Sequence, residues 1–280
     1  MRIHLCNEVL RHLPFEAQAE RAAMLGYDGL EIAPFTLGEE PHLLPAAERA
    51  RLRRVVEEAG LTVGGLHWLL VTPPGLSITT RDEDLRRRTS DVLAAMIGLC
   101  ADLGGRVMVH GSPQQRRVEE GDDPQEAWRR ARDLLAGAAE QAGRHGIVYC
   151  LEPLGRHEAN FVTSIEEAAR MVGEIGHPAF RTMIDTSAAA LSENEPVEAL
   201  IRRWVPTGAI GHVQFNDRNR RGPGEGSDRF GPILRALRDS RYTGEASVEP
   251  FLYQPDGESV AARSIGYLRG VLDALESEER

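Results

Sequence analysis

Lysine is absent from the 280 residues, so all 33 basic side chains are arginine. Any phosphate or carboxylate partner would have to be held by guanidinium groups alone. Positive charge is scarce overall, because 43 acidic residues leave a formal charge of -10. That balance opposes the counterion release that draws proteins onto polyanions, and it excludes nucleic acid as an expected partner. No stretch approaches the roughly 18 consecutive apolar residues that a membrane span requires. Residues Met1 to Arg11 read as a short alternating strand containing Arg2 and Glu8, without the apolar region of a secretory signal. The expectation is a cytoplasmic protein with no membrane partner. The three cysteines, Cys6, Cys100 and Cys150, are odd in number, widely spaced and set in apolar runs, which describes reduced core residues rather than a disulfide framework. None has a His or Lys directly beside it to depress its pKa toward reactivity. No Pro-, Gly- or Ser-rich linker and no low-complexity tract divides the chain, so residues 1-280 read as one domain.

What is present is an ordinary globular composition, 41% hydrophobic and 27% charged, laid out as short apolar runs alternating with helical patterns. Eight runs have strand length: Ile3 to Asn7, Gly29 to Ala33, Thr62 to His67, Arg106 to His110, Ile147 to Glu152, Arg181 to Asp185, Ala209 to Gln214 and Glu245 to Glu249. Between them lie segments with helix punctuation. Pro14 opens Phe15 to Leu25 and Gly26 closes it, while Thr163 with Glu166 three residues on forms a capping box ahead of an apolar-periodic stretch ended by Gly176. Gly60, Gly104 and Gly146 likewise precede strands. Eight repeated βα units in about 250 residues predict a single (β/α)8 barrel of the α/β class. The competing architecture is an open doubly wound sheet, against which no Gly-x-Gly-x-x-Gly follows the first strand.

In such a barrel the C-terminal strand ends converge on one mouth, where active sites of this fold are built. Here those ends carry Asn7 and Glu8, Glu31, His67, His110, Glu152, Asp185, His212 with Gln214 and Asp217, and Glu249. Strands of a parallel sheet are buried on both faces, so a carboxylate closing an apolar run is costly unless it is paired or coordinated. For each acid alone, hydrogen bonding to loop amides is a sufficient explanation. Glu152, Asp185 and Glu249 on three strands, joined by Gln214, together supply four oxygen donors, a set suited to one divalent cation such as Mg2+ or Mn2+ and less so to Zn2+ or Co2+.

The segments Glu152-Pro153-Leu154-Gly155-Arg156-His157-Glu158, Ile184-Asp185-Thr186, Gly211-His212-Val213-Gln214, Asn219-Arg220 with Pro223-Gly224-Glu225-Gly226, and Val248-Glu249-Pro250-Phe251 resemble the xylose-isomerase-like sugar epimerases, in particular the D-tagatose and D-psicose 3-epimerases. The likeness is clearest from Tyr149 to Phe251. It implies that Glu152, Asp185, Gln214 and Glu249 bind one divalent metal and that Glu152 and Glu249 also serve as acid and base. It further implies that Glu158 and Arg220 hold substrate hydroxyls. Three positions depart from the pattern. Gln214 stands where the ketose epimerases usually have His and hydroxypyruvate isomerases have Gln; Asp217, read as a further substrate contact, stands where the epimerases have Glu; and Ala188 replaces the epimerases' His three residues after the metal-binding Asp.

The remaining candidates are read from their positions. His67 and Trp68 suit a sugar pocket, since an indole stacks on apolar sugar faces and histidine bonds hydroxyls. His110 either contacts substrate or is structural. His212 shares a face with Gln214 by strand alternation and reads as a layer below the metal. Glu31 reads as a structural acid, and Arg116 with Arg117 as a solvated loop face or a lid. The expected activity is that of an isomerase or epimerase acting by proton transfer next to a carbonyl, through an enediolate, on a small sugar. Because only arginines can serve as anion donors near the mouth, a free sugar or glycoside is favoured. Metal-promoted elimination by a sugar or inosose dehydratase, and a carbohydrate-binding barrel without catalysis, are the alternatives. A related endonuclease chemistry would need more histidine ligands and an electropositive groove. A homo-oligomer is left open.

Overall fold

Strand alternation builds a two-layered molecule from these runs. In β4 (Val107–His110), β5 (Val148–Leu151) and β6 (Phe180–Asp185), the residues Val107, Val109, Cys150 and Met183 form a small apolar cluster of their own. Their neighbours Met108, Tyr149 and Ile184 join the large core beneath the surrounding helices. That separation is the expected consequence of side chains pointing alternately into a barrel and out toward its helical coat.

The computed structural model describes residues 1-277, in which eight parallel strands close in sequence order from β1 to β8. The others are β1 (Ile3–Cys6), β2 (Gly29–Ile32), β3 (Thr62–Leu66), β7 (Ile210–Phe215) and β8 (Ala246–Val248), and β8 returns to pair with β1. Six of the eight expected runs contain their strand, while β6 begins one residue before its run, at Phe180, and β7 ends one residue after its run, at Phe215. Closure rules out the open doubly wound sheet. The first helix, α1 (Phe15–Leu25), starts after Pro14 and stops at Gly26, whose φ of 91° is a left-handed conformation that glycine tolerates at a helix end. The coat continues with α2 (Ala46–Glu58), α3 (Glu83–Leu103), α4 (Pro124–Arg144), α5 (Ile165–Ile175), α6 (Thr186–Ser192), α7 (Val197–Trp204), α8 (Phe230–Asp239) and α9 (Gly257–Ser277). Among the described residues, no helix is long and apolar enough to cross a membrane.

One boundary differs from the sequence reading. The cap of α5 is Ser164, whose hydroxyl accepts from the Glu167 amide at 3.2 Å, and Glu167 reaches back to the Thr163 amide at 2.7 Å. The cap thus sits one residue beyond the expected Thr163, and its glutamate, Glu167 rather than Glu166, returns to the amide before the cap. Both registers contain a hydroxyl followed by a glutamate three residues on, and the spacing alone does not separate them.

Candidate active site

The barrel interior turns polar toward its C-terminal end. Glu152 follows β5 directly, Asp185 closes β6, Gln214 lies in β7 and Glu249 follows β8. One carboxylate oxygen from each of Glu152, Asp185 and Glu249 lies within 4.8 Å of the others, and all three residues are buried. Asp185 also opens α6, where its Oδ1 accepts from the Ala188 amide at 2.7 Å. Its Oδ2 accepts from Asn216 Nδ2, also at 2.7 Å. Gln214 donates from Nε2 to Glu31 Oε1 at 2.8 Å, whereas its Oε1 is buried with no hydrogen-bond partner among the described residues. A buried amide oxygen left unpaired is uncommon and asks for a ligand.

Burial raises the Glu152 and Glu249 carboxyls well above the ordinary carboxylate range; the charge of Asp185 adds to both, and that of Glu152 adds to Glu249. Burial pushes Asp185 up to about 6, against the lowering pull of its hydrogen bonds from Ala188 and Asn216. Three buried acids thus converge on one point. The oxygens of these acids, with Gln214 Oε1, could hold one hard divalent cation.

Beneath them lies a second polar layer. Glu31 is fully buried, pairs with His212 Nε2 at 2.7 Å and accepts from the Ser247 hydroxyl. Burial works against its charge, yet His212, His67 and the Ser247 bond hold its carboxyl well below the usual range. His67 bridges outward, with Nε2 2.9 Å from Glu8 Oε2 and 3.8 Å from Glu249 Oε1. Burial alone would lower the His67 pKa, but Glu8 and Glu31 raise it.

Above the acids opens a cavity of about 600 Å³, its open mouth included, lined by His67, Glu152, Asp185 and Glu249 at its base. Trp68 and Phe251 meet edge to face on one wall, their ring centroids 6.5 Å apart. Arg220 lies over the Phe251 ring and 3.8 Å from Glu158, and Ala188 lines the same space.

Of the expected substrate contacts, His67, Trp68, Glu158 and Arg220 line the cavity, and His110 and Asp217 do not. His110 alternates with Val109 and so faces the helical coat, where its Nδ1 meets the Tyr149 hydroxyl at 2.7 Å. The Asp217 carboxylate is committed to its own loop, accepting from the amides of Asn219 and Asp228. Arg116 is not a solvated loop residue. It is fully buried and donates to the backbone carbonyls of Glu152 and His110, tying together the exits of β5 and β4. Arg117, its neighbour, is exposed. Asn216 escaped the sequence reading, although it stands two residues after Gln214 and therefore on the same strand face. Besides Asp185 it reaches the Glu249 carbonyl and accepts from the Ser187 amide, so one buried amide ties the β6, β7 and β8 exits together.

A family model described as a xylose isomerase-like TIM barrel matches residues 19-271. The chain belongs to that family. Within the xylose isomerase-like barrels, it is 26% identical over 242 residues to a D-psicose 3-epimerase of Agrobacterium fabrum, covering 85% of this chain and 80% of that one. A fructoselysine 3-epimerase of Escherichia coli O157:H7 is 22% identical over 276 residues, covering 94% and 95% of the two chains. The fold also superposes on a solved L-ribulose 3-epimerase with a TM-score of 0.84 at 21% identity, covering 99% of this chain and 96% of that one. A match at that identity speaks to the barrel alone. The three relatives are named for inversion at carbon 3.

Proposed function

We propose that this chain is a divalent-metal-dependent sugar epimerase or isomerase, in which Glu152 and Glu249 move a proton at a carbon next to a carbonyl. One observation carries the reading: two buried glutamates at the exits of β5 and β8 face one cavity with Asp185, and the buried Gln214 Oε1 on the strand next to Asp185 has no hydrogen-bond partner among the described residues. Relatives named as D-psicose and fructoselysine 3-epimerases support the substrate class. A Mn2+ or Mg2+ ion held there would offset the three carboxylates and, as a Lewis acid, stabilise negative charge developing on substrate oxygens.

The chain's own groups supply the rest. One glutamate takes the proton from carbon, the C–H electron pair moves toward the carbonyl oxygen, and the other glutamate returns a proton to the opposite face. Because the two acids leave different strands, they can address different faces of a sugar bound between them. Trp68 and Phe251 offer an apolar wall for the sugar's C–H face, while Glu158 and Arg220 offer hydrogen bonds to its hydroxyls at the mouth. His67, bonded to Glu8 and close to Glu249, orients the acid on its side of the cavity.

Ala188 favours keeping one second reading, a dehydratase or lyase on the same acids, because it opens space where the epimerase pattern carries His. Incubating the protein with Mn2+ and a panel of ketoses in D2O, followed by NMR, tests both. Deuterium at the carbon next to the carbonyl, together with the epimer, is the expected result. Loss of water with formation of a deoxy product would select the second reading, and no exchange with any sugar would remove both.

A further inference from the structure

We infer that Glu31 is a positioning residue that fixes the rotation of the Gln214 side-chain amide, so that its oxygen, and never its nitrogen, faces the cation position. The inference rests on the metal-site reading above. Gln214 supplies a ligand atom only in one of two amide orientations, which differ little in shape. A nitrogen turned to the same point would offer no lone pair to a hard cation.

Three observations converge on Glu31. It is fully buried, so water cannot substitute for a missing partner. Its Oε1 accepts from Gln214 Nε2 at 2.8 Å. Its Oε2 is held from the other side by the Ser247 hydroxyl and by His212 Nε2 at 2.7 Å, so the carboxylate cannot swing away. Rotating the Gln214 amide by half a turn would set its oxygen against Glu31 Oε1, two acceptors face to face in a dry interior. It would also turn two donors toward the place where Glu152, Asp185 and Glu249 converge. The orphaned Gln214 Oε1 is thus the far end of a chain of hydrogen bonds that starts at His212. Outer partners of this kind typically change metal affinity by about 10–100-fold when removed.

The chain also explains how an amide can serve where a charged or aromatic ligand is the alternative. A neutral amide accepts weakly, but one pinned by a buried carboxylate is polarised through its N–H toward more negative charge on oxygen. The site then has an all-oxygen donor set, which suits Mg2+ and Mn2+ and gives Zn2+ no softer atom to prefer.

The test is Mn2+ and Mg2+ binding by calorimetry, with no turnover involved. Glu31→Gln keeps the shape but lets either amide orientation of Gln214 find a partner. Its Mn2+ affinity is expected to fall at least about tenfold. Adding Gln214→Glu to that variant exchanges donor and acceptor: the amide now at 31 donates to the new carboxylate while still accepting from Ser247 and His212. The pair is expected to recover the wild-type affinity or exceed it. A folded Glu31→Gln protein that binds within about threefold of wild type overturns the inference. So does a pair that binds no better than Glu31→Gln alone. Should the single variant not fold, side-chain NMR of the unsubstituted protein decides. Mg2+ should shift the Gln214 carboxamide carbon while its NH2 protons stay hydrogen-bonded, and a loss of that hydrogen bond on metal addition would overturn the proposal. If wild type itself binds no divalent ion, the metal reading fails with it, an outcome distinct from equal binding by wild type and variant.

Discussion

Gly111 marks how closely the backbone comes to the acids. It follows β4, and a methyl group placed on it would overlap the Glu152 Oε2 atom. Gly111→Ala should therefore leave the fold intact but displace the Glu152 carboxylate, and misplacement by about 1 Å can cost on the order of 100-fold in rate. Kinetics on the responsive ketose, with circular dichroism as the folding control, checks this; an alanine variant as active as wild type would mean that Glu152 need not be held where it is. The glutamates themselves give a sharper contrast. Glu152→Gln and Glu249→Gln keep size and one oxygen but carry no transferable proton, so kcat should fall at least about 100-fold while some metal binding persists. Near-normal turnover in both would leave these acids as metal holders only. A carboxylate that closes an apolar strand is visible in sequence because it is out of place, and this brought Glu152, Asp185 and Glu249 into view. His110 was read against the parity of its strand, since Val109 and not His110 faces inward. Arg116 was illegible for another reason: its partners are backbone carbonyls at two strand exits, and carbonyls leave no mark in a sequence.

At the scale of elements, strands buried on both faces appear as short, mostly apolar runs, so all eight are legible. Polar residues just past some strands, such as Asn7, Glu152 and Glu249, share the alternation and extend the runs, while Phe180 and Phe215 extend β6 and β7 beyond theirs. Caps are harder, because neighbouring hydroxyls compete for the same role. At α5 the structure assigns the cap to Ser164. Ser164→Ala should cost about 1 kcal/mol of stability, the usual price of an N-cap hydroxyl. Thr163→Ala should cost less, because it removes only a 3.3 Å contact from its hydroxyl to Glu167 and keeps its amide bond to the same carboxylate. Urea denaturation of the two variants checks the order, and the reverse order would return the cap to Thr163. α6 has no such ambiguity. Its cap is Asp185, so the first turn of that helix and the acid in the cavity constrain one another, and Ala188 reaches the cavity because its amide is bonded to that acid.

For the whole molecule, three acids buried together make stability depend on protons and, if the proposed cation site holds, on metal as well. Asp185 is pushed up to about 6, and Glu152 and Glu249 are raised well above their ordinary range. A carboxyl whose folded pKa is raised keeps its proton on folding, whereas the unfolded chain releases it near pH 4. The metal-free fold is therefore favoured by these groups below about pH 4, and that contribution is lost as pH climbs through 6 and beyond. A divalent ion held at the proposed site would oppose the loss, because it would bind the deprotonated acids and bind more tightly as pH rises. At one hundred times its dissociation constant an ion adds about 2.7 kcal/mol, which corresponds to roughly 5 °C in a domain of this size. The rise in melting temperature on adding Mn2+ should accordingly be larger at pH 8 than at pH 5.5. Glu249→Gln, which removes one of the three charges without changing the shape of the side chain, should make the metal-free protein melt higher than wild type at pH 8. That advantage should fade toward pH 4, where the wild-type acid is protonated as well. Scanning calorimetry in chelator and in Mn2+ across this range checks both statements. A metal increment independent of pH, or a Glu249→Gln protein less stable than wild type at pH 8 without metal, would show that the acids are already neutralised within the protein and that no cation is needed to hold them together.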